Sequence, residues 1–310
     1  MVVIRILFMG GHELGKIALE SLIKSNKNII GVVITDTTDE WYKGVDEVAQ
    51  KHSILVFKEK NINNTDFVVT VRKMSPELIV VVNFDQILKE EIISIPIKGC
   101  INTHASLLPK YRGRAPLNWA IINGEKETGV TVHYINKGID TGDIIVQVSI
   151  DIEENDYIED ILGKVKKVYS YIVKDSVEKI IKGTVVPIKQ DISSGCYCSK
   201  RTPKDGQINW DKPAIQIYNL IRATSEPYPG SYTYYNGFKV IIWKAELAEQ
   251  DQKHREYKNG KVLEVRDNHI LVKSVGNNLK ITKYDIISDK NQFVRIRENE
   301  SFNFKDDIND

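Results

Sequence analysis

Residues 2–11 read Val2-Val3-Ile4-Arg5-Ile6-Leu7-Phe8-Met9-Gly10-Gly11, an apolar run interrupted only by Arg5 and halted by two glycines. A strand that is apolar on both alternating faces must be covered on both sides, the habit of a parallel sheet held between helices. Two further runs of this kind follow, Ile29–Ile34 (IIGVVI) and Glu77–Val82 (ELIVVV). Between them lie stretches at helical spacing: Leu14–Lys24, with Leu14, Ile17, Ala18, Ser21 and Leu22 on one side, then Val45–His52 and Asp66–Met74. A shorter strand is expected at Ile54–Phe57. Strand alternating with helix makes the first half an open α/β domain, with ligands expected at the carboxyl ends of its strands.

Further along, Ile101–His104 predicts another strand, and Thr128–Ile135 with Asp143–Ile150 a β-pair. Glu159–Ile181 predicts a long helix with lysines on its polar side. Pro187, Gly195 and Pro203 then break the pattern, so a first domain is placed at residues 1–190. Past residue 204 a helix at Pro213–Ala223 precedes short strands at Gly230–Tyr235, Lys239–Ala245, Gly260–Val265, Ile270–Val275 and Leu279–Lys283. Turn signals such as Asn236-Gly237 and Asn259-Gly260 separate them, which predicts a small antiparallel barrel over residues 204–297. Residues 298–310, acidic and poor in hydrophobics, read as a frayed tail.

The 310 residues are 42% hydrophobic and 27% charged, which excludes collagen-like, mucin-like and wholly disordered chains. Lys plus Arg is 43 against Asp plus Glu 42, and that balance argues against life on nucleic acid. Cys100, Cys196 and Cys198 make no disulfide framework, and Cys196-Tyr197-Cys198 is too tightly spaced for a zinc knuckle. Without an apolar run of membrane length or a basic leader, a cytoplasmic protein with no membrane partner is expected.

Two places carry chemistry. Gly10-Gly11-His12-Glu13-Leu14-Gly15 follows the first strand, but its glycine spacing departs from the dinucleotide fingerprint G-x-G-x-x-G. It reads as a tight turn offering helix amides to a phosphate, which makes Gly10 and Gly11 candidate substrate contacts. The second place is sharper. Asn102 and His104, two apart, project from one face at the carboxyl end of their strand. A loop crowded with Pro, Gly and cations follows (Ser106–Pro116), then the turn Asn136–Asp143, from which an aspartate can fold back to orient His104.

Gly99-Cys100-Ile101-Asn102-Thr103-His104-Ala105-Ser106-Leu107-Leu108-Pro109-Lys110-Tyr111-Arg112-Gly113 resembles the signature of 10-formyltetrahydrofolate-dependent formyltransferases. The later blocks Glu127–Thr131 and Gly138–Asp143 resemble that family in the same order. The resemblance implies a Rossmann-like domain with a mostly parallel sheet, followed by a small OB-like β-barrel. It implies a catalytic trio of Asn102, His104 and Asp140, and 10-formyltetrahydrofolate as co-substrate without a metal. Folate would lie along Gln86, Ile87 and Leu88 and the turn Asn136, Lys137, Gly138 and Ile139, with Arg114 nearby.

Within the family, Arg112-Gly113-Arg114-Ala115-Pro116-Leu117-Asn118-Trp119 is most similar to sugar-nucleotide N-formyltransferases, such as the formyltransferase domain of the bifunctional lipid A aminoarabinose enzyme. That likeness places Trp119, with Ser106, Gly10 and Gly11, among the expected substrate contacts. The stretch Thr35–Gln50 holds Asp36, Asp39, Glu40, Asp46 and Glu47 against Lys43 alone, where the tRNA-modifying members carry a basic insertion. Residues 201–310 hold 18 Lys/Arg and 16 Asp/Glu, too balanced for a tRNA-facing barrel. The expectation is an enzyme acting on a nucleotide-linked amino-deoxysugar in cell-surface glycan synthesis, with no nucleic-acid partner and a homodimer admitted. Methionyl-tRNA formyltransferase is the alternative.

Overall fold

The computed structural model describes residues 3–37, 44–251, 254–288 and 294–303. The chain divides into two compact units. One comprises Met1–Pro116, Glu127–Asp151 and Gly163–Cys198, the other Leu117–Lys126, Ile152–Leu162 and Ser199–Asp310. The two are therefore interleaved in sequence, where a single boundary between residues 190 and 204 was expected.

The strands of the first unit are β1 (Ile6–Gly10), β2 (Ile29–Thr35), β3 (Val56–Glu59), β4 (Leu78–Val82) and β5 (Cys100–His104), then the short β6 (Arg112–Gly113), β7 (Glu127–Tyr134), β8 (Ile144–Asp151) and the short β9 (Tyr197–Cys198). Seven of them form one sheet in the order β3-β2-β1-β4-β5-β7-β8. The first five are parallel and the last two antiparallel to their neighbours. Its helices include α1 (His12–Lys24), α2 (Val45–Lys51), α3 (Thr65–Met74) and the single turn α4 (Glu90–Ile93). Leu7, Met9, Val33, Ile79 and Val81 of the sheet pack with Phe67 and Val71 of α3 and with Leu88 and Ile92. β1 and β4 are buried throughout, so the bare apolar runs are explained by cover on both faces.

Two helices bridge the division of the sequence: α5 (Pro116–Ile122), which begins on a proline where the backbone amide would have no helical partner, and the long α6 (Ile158–Lys182). The second unit adds α7 (Ala214–Thr224) and five strands, β10 (Ser231–Tyr235), β11 (Phe238–Ala248), β12 (Val262–Arg266), β13 (His269–Val272) and β14 (Asn278–Ile287). They form an antiparallel sheet in the order β10-β11-β14-β13-β12.

The expected frayed tail is corrected here. Asn303 bridges to Tyr234 on the edge strand β10, and Ser301 bridges to Lys261 at the start of β12, so residues 301–303 join the two edges. Phe302 is buried in the barrel core, stacked on Trp210 with ring centroids 5.6 Å apart. The Phe302 ring anchors the strand together with backbone hydrogen bonds from Phe302 to Gly260 and from Asn303 to Tyr234. Residues 304–310 lie outside the described residues.

Candidate active site

The β5–β7 register builds the site. Asn102 lies directly opposite His133, and His104 opposite Thr131. The chain after β7 carries Asp140, whose backbone is left-handed at φ 53°, and brings its carboxylate back to the side chains of Asn102 and His104. His104 is buried, with Nε2 2.8 Å from the carbonyl oxygen of Tyr111 and Nδ1 3.6 Å from Asp140 Oδ2. The carbonyl oxygen only accepts, so Nε2 carries the hydrogen and Nδ1 is the nitrogen left to take up a proton. Burial lowers the His104 pKa, and the opposing charge of Asp140 only partly offsets that desolvation. The ring is therefore neutral near pH 7 beside a group that stabilises its cation.

Asp140 is partly buried, and desolvation alone would raise its pKa. The His104 ring, with the amide of Gly113, outweighs burial and holds it well below the usual carboxylate range. The Gly113 N–H donates to Asp140 Oδ2 at 2.9 Å. Asn102 Nδ2 donates toward Asp140 Oδ1 at 3.3 Å and lies 3.3 Å from His133 Nε2. Gln190, buried, donates from Nε2 to the carbonyl oxygens of Asp140 (3.0 Å) and Gly142 (2.6 Å), and so fixes the turn from behind.

The loop after β5 is ordered by neighbours remote in sequence. Thr131 Oγ1 donates to Ser106 O at 2.6 Å and accepts from Gln147 Nε2 at 2.8 Å, while Gln147 also donates to Leu108 O at 3.0 Å. The amides of Arg112 and Arg114 donate to the carbonyls of Cys196 and Cys198, each at 3.0 Å, and this pairs β6 with β9. Gly113, at φ 94°, passes so close to Cys198 O and the Tyr197 ring that a Cβ has no room.

Residues 2–176 match the formyl transferase family, and residues 200–294 match the family's C-terminal domain. The chain belongs to the formyltransferase family. It is 38% identical to the methionyl-tRNA formyltransferase of Caldanaerobacter subterraneus over 284 residues, 89% of this chain and 90% of that one. It is 40% identical over 253 residues to the bifunctional polymyxin resistance protein ArnA of Wigglesworthia glossinidia brevipalpis, 80% of this chain and 39% of that protein. Among solved structures it superposes with TM-score 0.67 on WlaRD, a sugar 3N-formyl transferase crystallised in the presence of dTDP and 5-N-formyl-THF. The sequences are 25% identical, covering 94% of this chain and all of that one.

In this formyltransferase the three expected catalytic side chains converge, and the structure adds His133, Tyr111 O, Gly113 N and Gln190 around them. The other expected contacts divide. Ile87 and Ile139 are exposed, 67% and 44%, and Arg114 is exposed as well. Leu88 is in the core. Gln86 is turned inward: its Oε1 accepts from Ile62 N at 2.9 Å and its Nε2 donates to Glu59 O at 2.8 Å. Asn136 Oδ1 accepts from Gly138 N and Thr141 Oγ1, and Lys137 pairs with Glu90 at 3.8 Å.

The expected substrate contacts make contacts of their own within the chain. Ser106 is fully buried, and its hydroxyl donates to Lys110 O at 2.7 Å. Gly10 abuts Val82 O and the Phe8 ring, and the Gly11 amide donates to Val82 O at 3.3 Å. Neither the Ser106 hydroxyl nor the Gly11 amide is left for a ligand. Trp119 belongs to the second unit, where Arg201 covers its ring at 5.1 Å and its indole N–H reaches Ser199 O at 3.4 Å. Among the described residues no cluster of three or more His, Cys, Asp or Glu could hold a metal, and no helix is long and apolar enough to cross a membrane.

Proposed function

We propose that this formyltransferase moves the formyl group of 10-formyltetrahydrofolate onto the amine of a nucleotide-linked amino-deoxysugar. The co-substrate fits the residues present: exposed Ile87 and Ile139 offer apolar surface to a flat pterin in the two segments expected to line it. It supplies the activated formyl carbon, and the chain supplies polarity and proton handling. Asn102 donates an amide hydrogen to the formyl oxygen as negative charge grows there, a contact that typically carries about 2.7–4 kcal/mol. His104 takes the proton of the attacking amine at Nδ1 and returns it to the departing folate nitrogen. Asp140 stabilises the transient imidazolium, and Tyr111 O fixes the tautomer.

The amino-sugar half of the reading is carried by one observation, that several cations of the barrel unit are engaged within it. Lys239 lies over the Tyr232 ring at 4.0 Å and Lys261 over Tyr257 at 4.1 Å. Lys280 pairs with Glu246 at 3.1 Å and Lys283 with Glu226 at 3.2 Å. Arg222 is buried against the carbonyls of Glu153 and Asp156, and Lys273 is buried against Ser274 O. A tRNA stem has a phosphate at every nucleotide and needs many free cations, whereas a sugar nucleotide has only two.

The acidic stretch after β2 supports this less than its composition suggests. Asp36 pairs with Lys60 at 3.8 Å and Asp46 with Lys58 at 3.4 Å, while Asp39, Glu40 and Lys43 lie outside the described residues. Likeness to WlaRD supports the sugar reading, and the likeness to a methionyl-tRNA formyltransferase over 89% of the chain supports the other. Incubating the protein with 10-formyltetrahydrofolate and a panel of UDP- and dTDP-linked amino sugars should add one formyl mass to at least one sugar. A panel left unmodified while methionyl-tRNA gains the formyl group would reject the reading.

A further inference from the structure

His133 takes no part in the chemistry just described, yet its ring sits inside the constellation, 2% exposed. Its Nδ1 lies 2.8 Å from Tyr134 O. A carbonyl oxygen accepts only, so Nδ1 carries the hydrogen and Nε2 of the neutral ring is a lone pair. That lone pair lies 3.3 Å from Asn102 Nδ2 and 3.5 Å from Asp140 Oδ1, and Oδ1 itself lies 3.3 Å from the same Nδ2. A triangle with sides 3.3, 3.3 and 3.5 Å subtends about 64° at Nδ2. The two N–H bonds of a planar amide diverge by about 120°. Two acceptors so close together fit one N–H shared between them, and the other N–H is then directed away from both.

We propose that His133 is a positioning residue. Together with Asp140 it clamps one N–H of Asn102, so that the second N–H is held where the formyl oxygen develops its charge. The two acceptors also decide which edge of the carboxamide faces inward, because the Asn102 carbonyl oxygen would meet a lone pair and a carboxylate there. This rests on Asn102, His104 and Asp140 being the reacting constellation. With His133 gone, Asp140 alone would hold the amide by one long contact, and the donor would be misaligned in the transition state more than in substrate binding.

The test is a double-mutant cycle with a tautomer measurement beside it. The cycle uses 10-formyltetrahydrofolate and whichever acceptor the wild type formylates, a UDP- or dTDP-linked amino sugar or methionyl-tRNA. His133→Leu should lower kcat about 10-fold or more with KM within about 3-fold, and His133→Gln, which restores an acceptor at the reach of Nε2, should recover most of it. In the Asn102→Ala background His133→Leu should cost nothing further, because the amide it positions is absent. Full additivity there, or a His133→Leu enzyme with normal kcat, overturns the proposal. A normal kcat in Asn102→Ala alone would instead sink the underlying assignment of the trio. Should His133→Leu fold poorly, ring nitrogen NMR of the wild type, with the signal assigned through His133→Gln, decides: a neutral ring protonated at Nδ1 is expected, and one protonated at Nε2 contradicts the clamp.

Discussion

The imidazole of His104 is held by a carbonyl oxygen on one nitrogen and faces a carboxylate across 3.6 Å on the other. Replacing His104 or Asn102 by Ala should lower kcat by about 10²–10³ while far-UV circular dichroism stays that of the wild type. A variant of either residue with near-normal turnover would remove it from the mechanism. The pH dependence follows from the burial of His104. Because its folded pKa lies below the ordinary 6.5, the acid limb of kcat/KM should fall below pH 6.5. The stability contributed by the neutral ring is fully present above that ordinary value and is lost as pH falls toward the folded one. Asp140→Asn removes the charge that favours the imidazolium, so kcat should drop and the limb should move further acid. Loss of folate affinity with an unchanged kcat would instead make Asp140 a binding residue.

The elements that present these side chains differ in how far they can be read from sequence. Doubly apolar runs announce β1, β2 and β4, and the two-residue spacing of Asn102 and His104 announces a shared face on β5. His133 could not be found that way, because its place opposite Asn102 depends on a strand register that joins positions 31 residues apart. The clip of Gly195–Cys198 onto the loop is equally silent, since backbone amides bond to carbonyls regardless of side chain. The local hydrogen bonds of Ser106 and Gln86 are silent in the sequence for a related reason. A polar residue near a site looks like a contact until the local hydrogen bonds it satisfies are known. Gly113→Ala tests the loop. Positive φ and the crowding against Cys198 O should force the segment to move and pull the Gly113 N–H from Asp140, lowering kcat more than 10-fold and costing about 1–3 kcal/mol of stability. Calorimetry together with turnover checks it, and a fully active, equally stable variant would mean that the loop is not pinned there.

On the scale of the whole chain, each unit has its own core, and the barrel's depends on a strand beyond its last hairpin. Phe302→Ala should destabilise the barrel by about 3–5 kcal/mol, read as a lower-melting transition in calorimetry, because the ring fills the space between Trp210 and Tyr235. An unchanged transition would return residues 301–303 to the status of a loose tail. The barrel also bears on substrate choice. Several of its cations lie against rings or carboxylates of the same unit, which on the proposed reading leaves them less available to an acceptor with a long run of phosphates. The most direct test is the ratio of kcat/KM for a nucleotide-linked amino sugar to that for methionyl-tRNA, measured on one preparation at low salt, where electrostatic attraction to tRNA is strongest. The account predicts a ratio above about 10², taking each factor of ten as about 1.4 kcal/mol of transition-state discrimination. A ratio at or below one would contradict it and make the tRNA the acceptor.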